Sequence, residues 1–239
     1  MNPGISMKPF ITSLLSLSML WLATPLAHAN LTVHPMRSSV NPTHGTQIRI
    51  YSQSTEAQYV QVSLRRIDSP ADPDEKEVDV EASEAAIAIT PGKFALSGGG
   101  NRLVRVIPLH PVEKETAYRV YFEGARGPES ISEDTTEGAQ ANVGVNLVWG
   151  ALVNVLPNDG TVQPQLDGST LRNAGTLRLG ITSIADCAGT QCTSYDVARS
   201  LYPGSELQLP FAITPGNTVQ LRYRLTRDGY REHTQTLIP

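Results

Sequence analysis

From residue 31 onward, apolar and polar positions alternate with a period of two, and no stretch of useful length shows apolar residues at helical spacing. Segment 59–66 is representative: Val60, Val62 and Leu64 line one face, and Gln61, Ser63 and Arg65 the other. Further β-prone segments are expected at 47–51, 86–90, 103–109, 117–123 and 143–156, with turn residues such as Gly98-Gly99-Gly100 between them. This spacing predicts a β-sandwich over residues 30–157. A strong turn signal, Leu156-Pro157-Asn158-Asp159-Gly160, ends it. Segments 170–172, 176–184, 206–211, 218–225 and 232–237 then predict a second, smaller β-domain over 158–239. The expected fold class is all-β.

Segment 143–156 stands apart by its length. Its odd positions, Val143, Val145, Leu147, Trp149, Ala151, Val153 and Val155, are all apolar. At about 3.3 Å per residue it would extend about 45 Å, more than one sandwich uses. A long apolar strand invites aggregation unless its own core or a partner covers it. Two readings follow: a long core strand, or a strand that pairs with another protein's open sheet. Segment 125–140, just upstream, is polar, glycine-rich and acidic and reads as a mobile loop.

Composition narrows the classes. Of the 239 residues, 40% are hydrophobic, enough for packed cores. A formal net charge of −4 leaves no basic surplus to hold nucleic acid or an anionic membrane. Residues 1–29 read as a secretory signal peptide, with Lys8, then an apolar run from Phe10 to Leu22, then the A-x-A site Ala27-His28-Ala29. The run is short and rich in hydroxyls for a membrane anchor, and no stable membrane insertion is expected.

The two cysteines, Cys187 and Cys192, stand five positions apart with Gly189 between them. That suits a disulfide closing a hairpin in an oxidising compartment. A metal site would need two further ligands, and a redox pair is more usually spaced C-x-x-C. Segment 68–84 carries eight acids against Lys76 and reads as a solvated connection, with calcium ligation as the alternative. H-E-x-x-H and G-x-S-x-G are absent, and Gly98-Gly99-Gly100 precedes a strand rather than a helix, so it offers no phosphate cradle. No enzymatic activity, metal or cofactor is predicted.

Several motifs, in order, carry a resemblance. Val33-His34-Pro35-Met36-Arg37 resembles the first strand of the periplasmic pilus-assembly chaperones of the PapD type. Thr90-Pro91-Gly92-Lys93-Phe94-Ala95-Leu96 followed by Leu103-Val104-Arg105-Val106 resembles their P-x-x-F-x-L and V-R-V signature. Glu115-Thr116-Ala117-Tyr118-Arg119 resembles the E-x-x-Y-R of their sixth strand. Leu171-Arg172-Asn173-Ala174-Gly175-Thr176, the two cysteines and Leu201-Tyr202-Pro203-Gly204 resemble the alternate clade, which includes the common-pilus and colonisation-factor chaperones.

The resemblance implies two immunoglobulin-like β-sandwich domains in a boomerang, working in the periplasm. Such a chaperone caps pilin subunits and the adhesin by donor-strand complementation and delivers them to the outer-membrane usher. Placed on this chain, the groove-filling positions fall on Val143, Val145 and Leu147, with Trp149 continuing the face. Their burial would stabilise a complex by on the order of 6–10 kcal/mol before association costs. The family's subunit-carboxylate anchor falls on Arg37, whose guanidinium matches a carboxylate. The lysine expected five positions before Pro157 is replaced by Leu152, which leaves Asn154 as a weaker neutral candidate. An inter-domain charge cluster falls on Glu115 and Asp228, and the arginine expected just before Pro157 is Leu156. The runner-up is a secreted β-sandwich pilus subunit or adhesin. A subunit would carry an N-terminal donor extension, whereas Asn30-Leu31-Thr32 leads straight into a strand.

Overall fold

A computed structural model describes residues 30–125 and 147–239. The signal peptide, most of the glycine-rich loop, Val143 and Val145 lie outside the described residues.

The period-two alternation becomes two sandwiches. In the first, one sheet runs in the order β1 (Leu31–His34), β3 (Thr46–Ser52), β8 (Asn101–Pro108), β6 (Ile87–Thr90). The facing sheet runs β2 (Arg37–Val40), β10 (Val148–Val155), β9 (Thr116–Ala125), β4 (Gln58–Asp68), β5 (Lys76–Asp79), with β7 (Lys93–Leu96) also on β4. Pro35 separates β1 from β2, and the chain crosses between sheets there, where the missing N–H costs no ladder bond. Ile48, Ile50, Val104 and Val106 from one sheet meet Val60, Val120, Phe122, Ala151 and Val153 from the other. These are the apolar phases of the strands that alternation predicted.

The second sandwich packs a sheet of β11 (Pro164–Asp167), β12 (Thr170–Asn173) and β15 (Glu206–Gln208) against a four-stranded one. The latter runs β14 (Gln191–Leu201), β13 (Leu179–Ala188), β16 (Thr218–Arg224), β17 (Glu232–Leu237). Leu171, Leu177, Leu179, Ile184 and Leu221 are fully buried in its core or nearly so. Core membership changes within one peptide unit: Val155 belongs to the first core and Leu156 to the second.

Two elements depart from expectation. The strand β14 was not predicted. It is a sheet edge, and most of its side chains are exposed, so no inward face had to be apolar and no alternation arose. The acidic segment is more than a solvated connection, because β5 lies within it and pairs with β4 from Arg65–Asp79 to Asp68–Lys76. Its carboxylates answer arginines on neighbouring strands, which a linear reading of charge does not reveal.

Cys187 and Cys192 face each other directly on β13 and β14 and are bridged, and Gly189 takes the left-handed conformation the tight turn needs (φ 61°). The bridge staples a domain whose outer strand is mostly polar. Its reduction is expected to destabilise the second sandwich by roughly 2 kcal/mol, read as a lower denaturation midpoint. Two titratable thiols per chain in unreduced, unfolded protein would contradict the bridge.

Candidate functional site

The strand β10 has unequal edges. On one side it pairs with β9 over its whole length, from Val148–Glu123 to Val155–Thr116. On the other it pairs, in parallel, with β2 only from Leu152–Arg37 to Val155–Val40. Upstream of Leu152 no described strand covers that edge. The N–H groups of Leu152 and Leu156 donate to the Met36 and Val40 carbonyls on the β2 side. By the period of two, Val148 and Gly150 aim their backbone groups along the same side, at the uncovered stretch.

The side chains continue this asymmetry. Ala151, Val153 and Val155 are buried in the first core. Trp149, in the same phase, is half-buried against the rim of that core, so this residue serves the chain's own packing as well as the face expected to fill a groove. Leu147 is 47% exposed and Val148 50%, and Met36 beside the open edge is also exposed. One apolar face thus begins as core and runs out of the sandwich uncovered.

Below this edge the second sandwich packs on the outer face of the same sheet. Tyr202, after β14, lies buried against Ile67 of β4, Ala117 of β9 and Leu152 of β10. Leu152 replaces the family's lysine, and its place in this apolar contact explains why no cation is needed there for packing. Tyr202 donates to the Asn154 carbonyl oxygen at 3.3 Å. Burial pushes the Tyr202 hydroxyl up to about 12, against the smaller opposing pull of the Arg178 charge.

The polar centre of the junction is Glu115, whose side chain is fully buried. Its Oε1 accepts from Asn154 Nδ2 and from Thr226 Oγ1, each at 2.7 Å, and its Oε2 accepts the Arg178 backbone N–H at 2.8 Å. The Arg178 Nε lies 3.8 Å from the same carboxylate, and its Nη1 donates to Ser200 at 2.7 Å. The ring of Tyr230 underlies the guanidinium at 5.8 Å. Glu115 and Asn154 come from the first sandwich, and Thr226, Arg178 and Tyr202 from the second.

This geometry corrects two sequence assignments. Asn154 is no free carboxylate anchor, because both ends of its amide are spent on Glu115, Thr226 and Tyr202 and the residue is buried. Asp228 is not partnered with Glu115; it pairs with His233, which stacks on Tyr223, within the second sandwich. Arg178, the cation of the cluster, was missed because no local pattern marks it: it lies 63 positions from Glu115. Arg37 opens β2, is exposed, and has no carboxylate partner among the described residues. Its charge is felt at the Tyr202 hydroxyl, which places it beside the cleft.

No protein-family model matches the chain. A CS1 fimbrial protein of Escherichia coli is 31% identical over 190 residues, covering 75% of this chain and 80% of that protein. The crystal structure of the class 5 fimbriae chaperone CfaA superposes with a TM-score of 0.74 at 22% identity, over 88% of this chain and 100% of that one. A chain from a study of the chaperone–tip adhesin complex of CFA/I fimbriae gives 0.70 at 22% identity, with the same coverage. The two joined sandwiches are those of a fimbrial chaperone of the PapD type rather than of a pilus subunit. Within that class, the chain belongs to the family of the CS1 fimbrial protein.

Two outcomes test the junction. Arg178→Met should destabilise the protein by about 3–5 kcal/mol, since it leaves the Glu115 charge buried and short of its cation; this is checked by denaturant unfolding. The raised Tyr202 value means that the folded state holds this proton more tightly than the unfolded chain does. Stability from this group is complete below pH 10, its ordinary value, and falls as pH rises from there towards about 12. The Tyr202→Phe protein should lack that alkaline loss, seen as a flatter unfolding midpoint between pH 10 and 12.

Proposed function

We propose that the chain is a periplasmic chaperone that lends β10 to fimbrial subunits and to the tip adhesin, holding each in a folded, capped state until the outer-membrane usher takes it. The observation that carries this reading is the half-open edge of β10, with an apolar face that leaves the core at Trp149 and continues through the exposed Leu147. A subunit sheet that lacks one strand gains from β10 both a ladder of backbone hydrogen bonds and alternating side chains for its pockets. Val145 and Val143 continue the same phase upstream.

The supporting facts are of three kinds. The family relation and the fold place the chain among fimbrial chaperones, one of whose structural neighbours is described with a tip adhesin. The signal-peptide pattern at residues 1–29 and the disulfide both suit the periplasm. No helix among the described residues is long and apolar enough to cross a membrane.

Leu147 separates folding from capture. It lies outside the packed core, so Leu147→Glu should leave the melting temperature within about 2 °C of the parent. The same change puts an unpaired carboxylate into an apolar pocket and should abolish recovery of co-expressed fimbrial subunit. Undiminished subunit recovery would refute the lending of β10.

A further inference from the structure

Strand register lines up arginines along the cleft. Across the outer face of the second sheet, one row reads Arg37 on β2, Leu152 on β10, Arg119 on β9, Arg65 on β4 and Asp79 on β5. Residues directly opposite one another point to the same face. The neighbouring row includes Asn154, Ala117 and Ile67, which the second sandwich covers through Tyr202. The arginine row therefore lies at the rim of that cover, level with the end of the open β10 edge.

The three arginines differ in their counter-ions. Arg65 pairs with Asp79 at 3.2 Å. Arg37 has no carboxylate partner among the described residues. Arg119 is half-buried and held loosely: its Nη2 reaches Glu75 at 3.3 Å, and its Nε lies 3.1 Å from Glu77 without hydrogen-bond alignment. Glu77 does not depend on Arg119, because Tyr121 donates to it at 2.6 Å. Glu75 likewise accepts the Ala71 N–H at 2.7 Å. The acidic turn that presents both is tied to the second sandwich through Ser205, which donates to Asp72 at 2.6 Å.

Gly150 completes the arrangement. A Cβ built there would sit 3.0 Å from both Arg119 Cδ and Tyr121 Cε1. The missing side chain leaves β10 flat where these two side chains lie alongside it, beside the open edge.

A strand added to that edge must stop at Leu152, because β2 occupies the edge from there on. If it runs parallel to β10, as β2 does, it ends beside Arg37 with its carboxylate. The opposite direction would bring an ammonium group against a guanidinium. Arg119 is two strand spacings from Arg37, about 10 Å between backbones, so two long side chains can converge on one group between them.

We infer that Arg119 is a specificity-determining cation of this cleft, taking the terminal carboxylate of the incoming subunit strand together with Arg37, while Glu75 and Glu77 hold it until that carboxylate arrives. The inference rests on the strand-lending reading above. It assigns to β9 the second cation that Leu152 does not supply on β10. It also gives the acidic turn a purpose: a counter-ion that keeps the guanidinium desolvated and oriented, yet is displaced at low cost because both glutamates keep other donors.

The test uses the full-length mature chaperone co-expressed with the fimbrial subunit of its own system. The subunit carries either its native C-terminus or the same end extended by three glycines, which moves the carboxylate away from the cleft. Arg119→Gln should lower recovery of the native subunit about tenfold, the loss of one charge-assisted hydrogen bond, and leave recovery of the extended subunit unchanged. Arg119→Lys should restore part of the loss. Glu75→Gln combined with Glu77→Gln should raise recovery of the native subunit and leave the extended one as it was. Equal losses on both subunits would show that Arg119 acts only through folding and would overturn the inference, as would no loss on either. Failure of the parent chaperone to recover either subunit would instead overturn the strand-lending reading itself.

Discussion

A single buried carboxylate organises the molecule. Glu115 has lost all contact with water, and a charge in that position is tolerated only when its lone pairs are met by well-placed donors and a cation. Those donors come from both sandwiches, so satisfying the charge also fixes the domains against each other. An apolar patch alone would let the domains slide; directed hydrogen bonds select one arrangement. The direction of Tyr202, and with it the cover over Leu152, follows from that choice.

The junction in turn determines what β10 offers. Its downstream half is locked between β9 and β2 and buried on its core face, which makes it rigid. Its upstream part has one open edge and a face that emerges from the core. Exposed apolar edges are normally blunted with charge, proline or a covering loop. Here Met36, Leu147 and Val148 keep the edge apolar, and the protein bears that liability because the edge is what it uses. The cleft sets a hard stop, since a visiting strand meets β2 and its arginine at a defined residue.

Much of the fold was legible because the β pattern is local. Alternation located most of the strands within a few residues, and the spacing of Cys187 and Cys192 announced the hairpin that holds them. Where a strand had no buried face, as in β14, the signal vanished with it. The site was legible in part. Glu115 and Arg37 were found by resemblance, whereas Asn154 and Asp228 were given roles that their hydrogen-bond partners deny them. Polar residues carry no period, so their partners are decided by register and domain packing.

The division is a physical one. The amino-acid sequence by itself determined the strand phases, the two sandwiches, the disulfide pair and the long apolar face of β10, because each depends on residues close together in the chain. Only the tertiary structure decided that Arg178 answers Glu115, that the acidic turn answers Arg119, and that β2 leaves half of β10 uncovered. These depend on strands distant in sequence lying side by side, and electrostatic pairing acts over a few ångströms of space, whatever the distance along the chain.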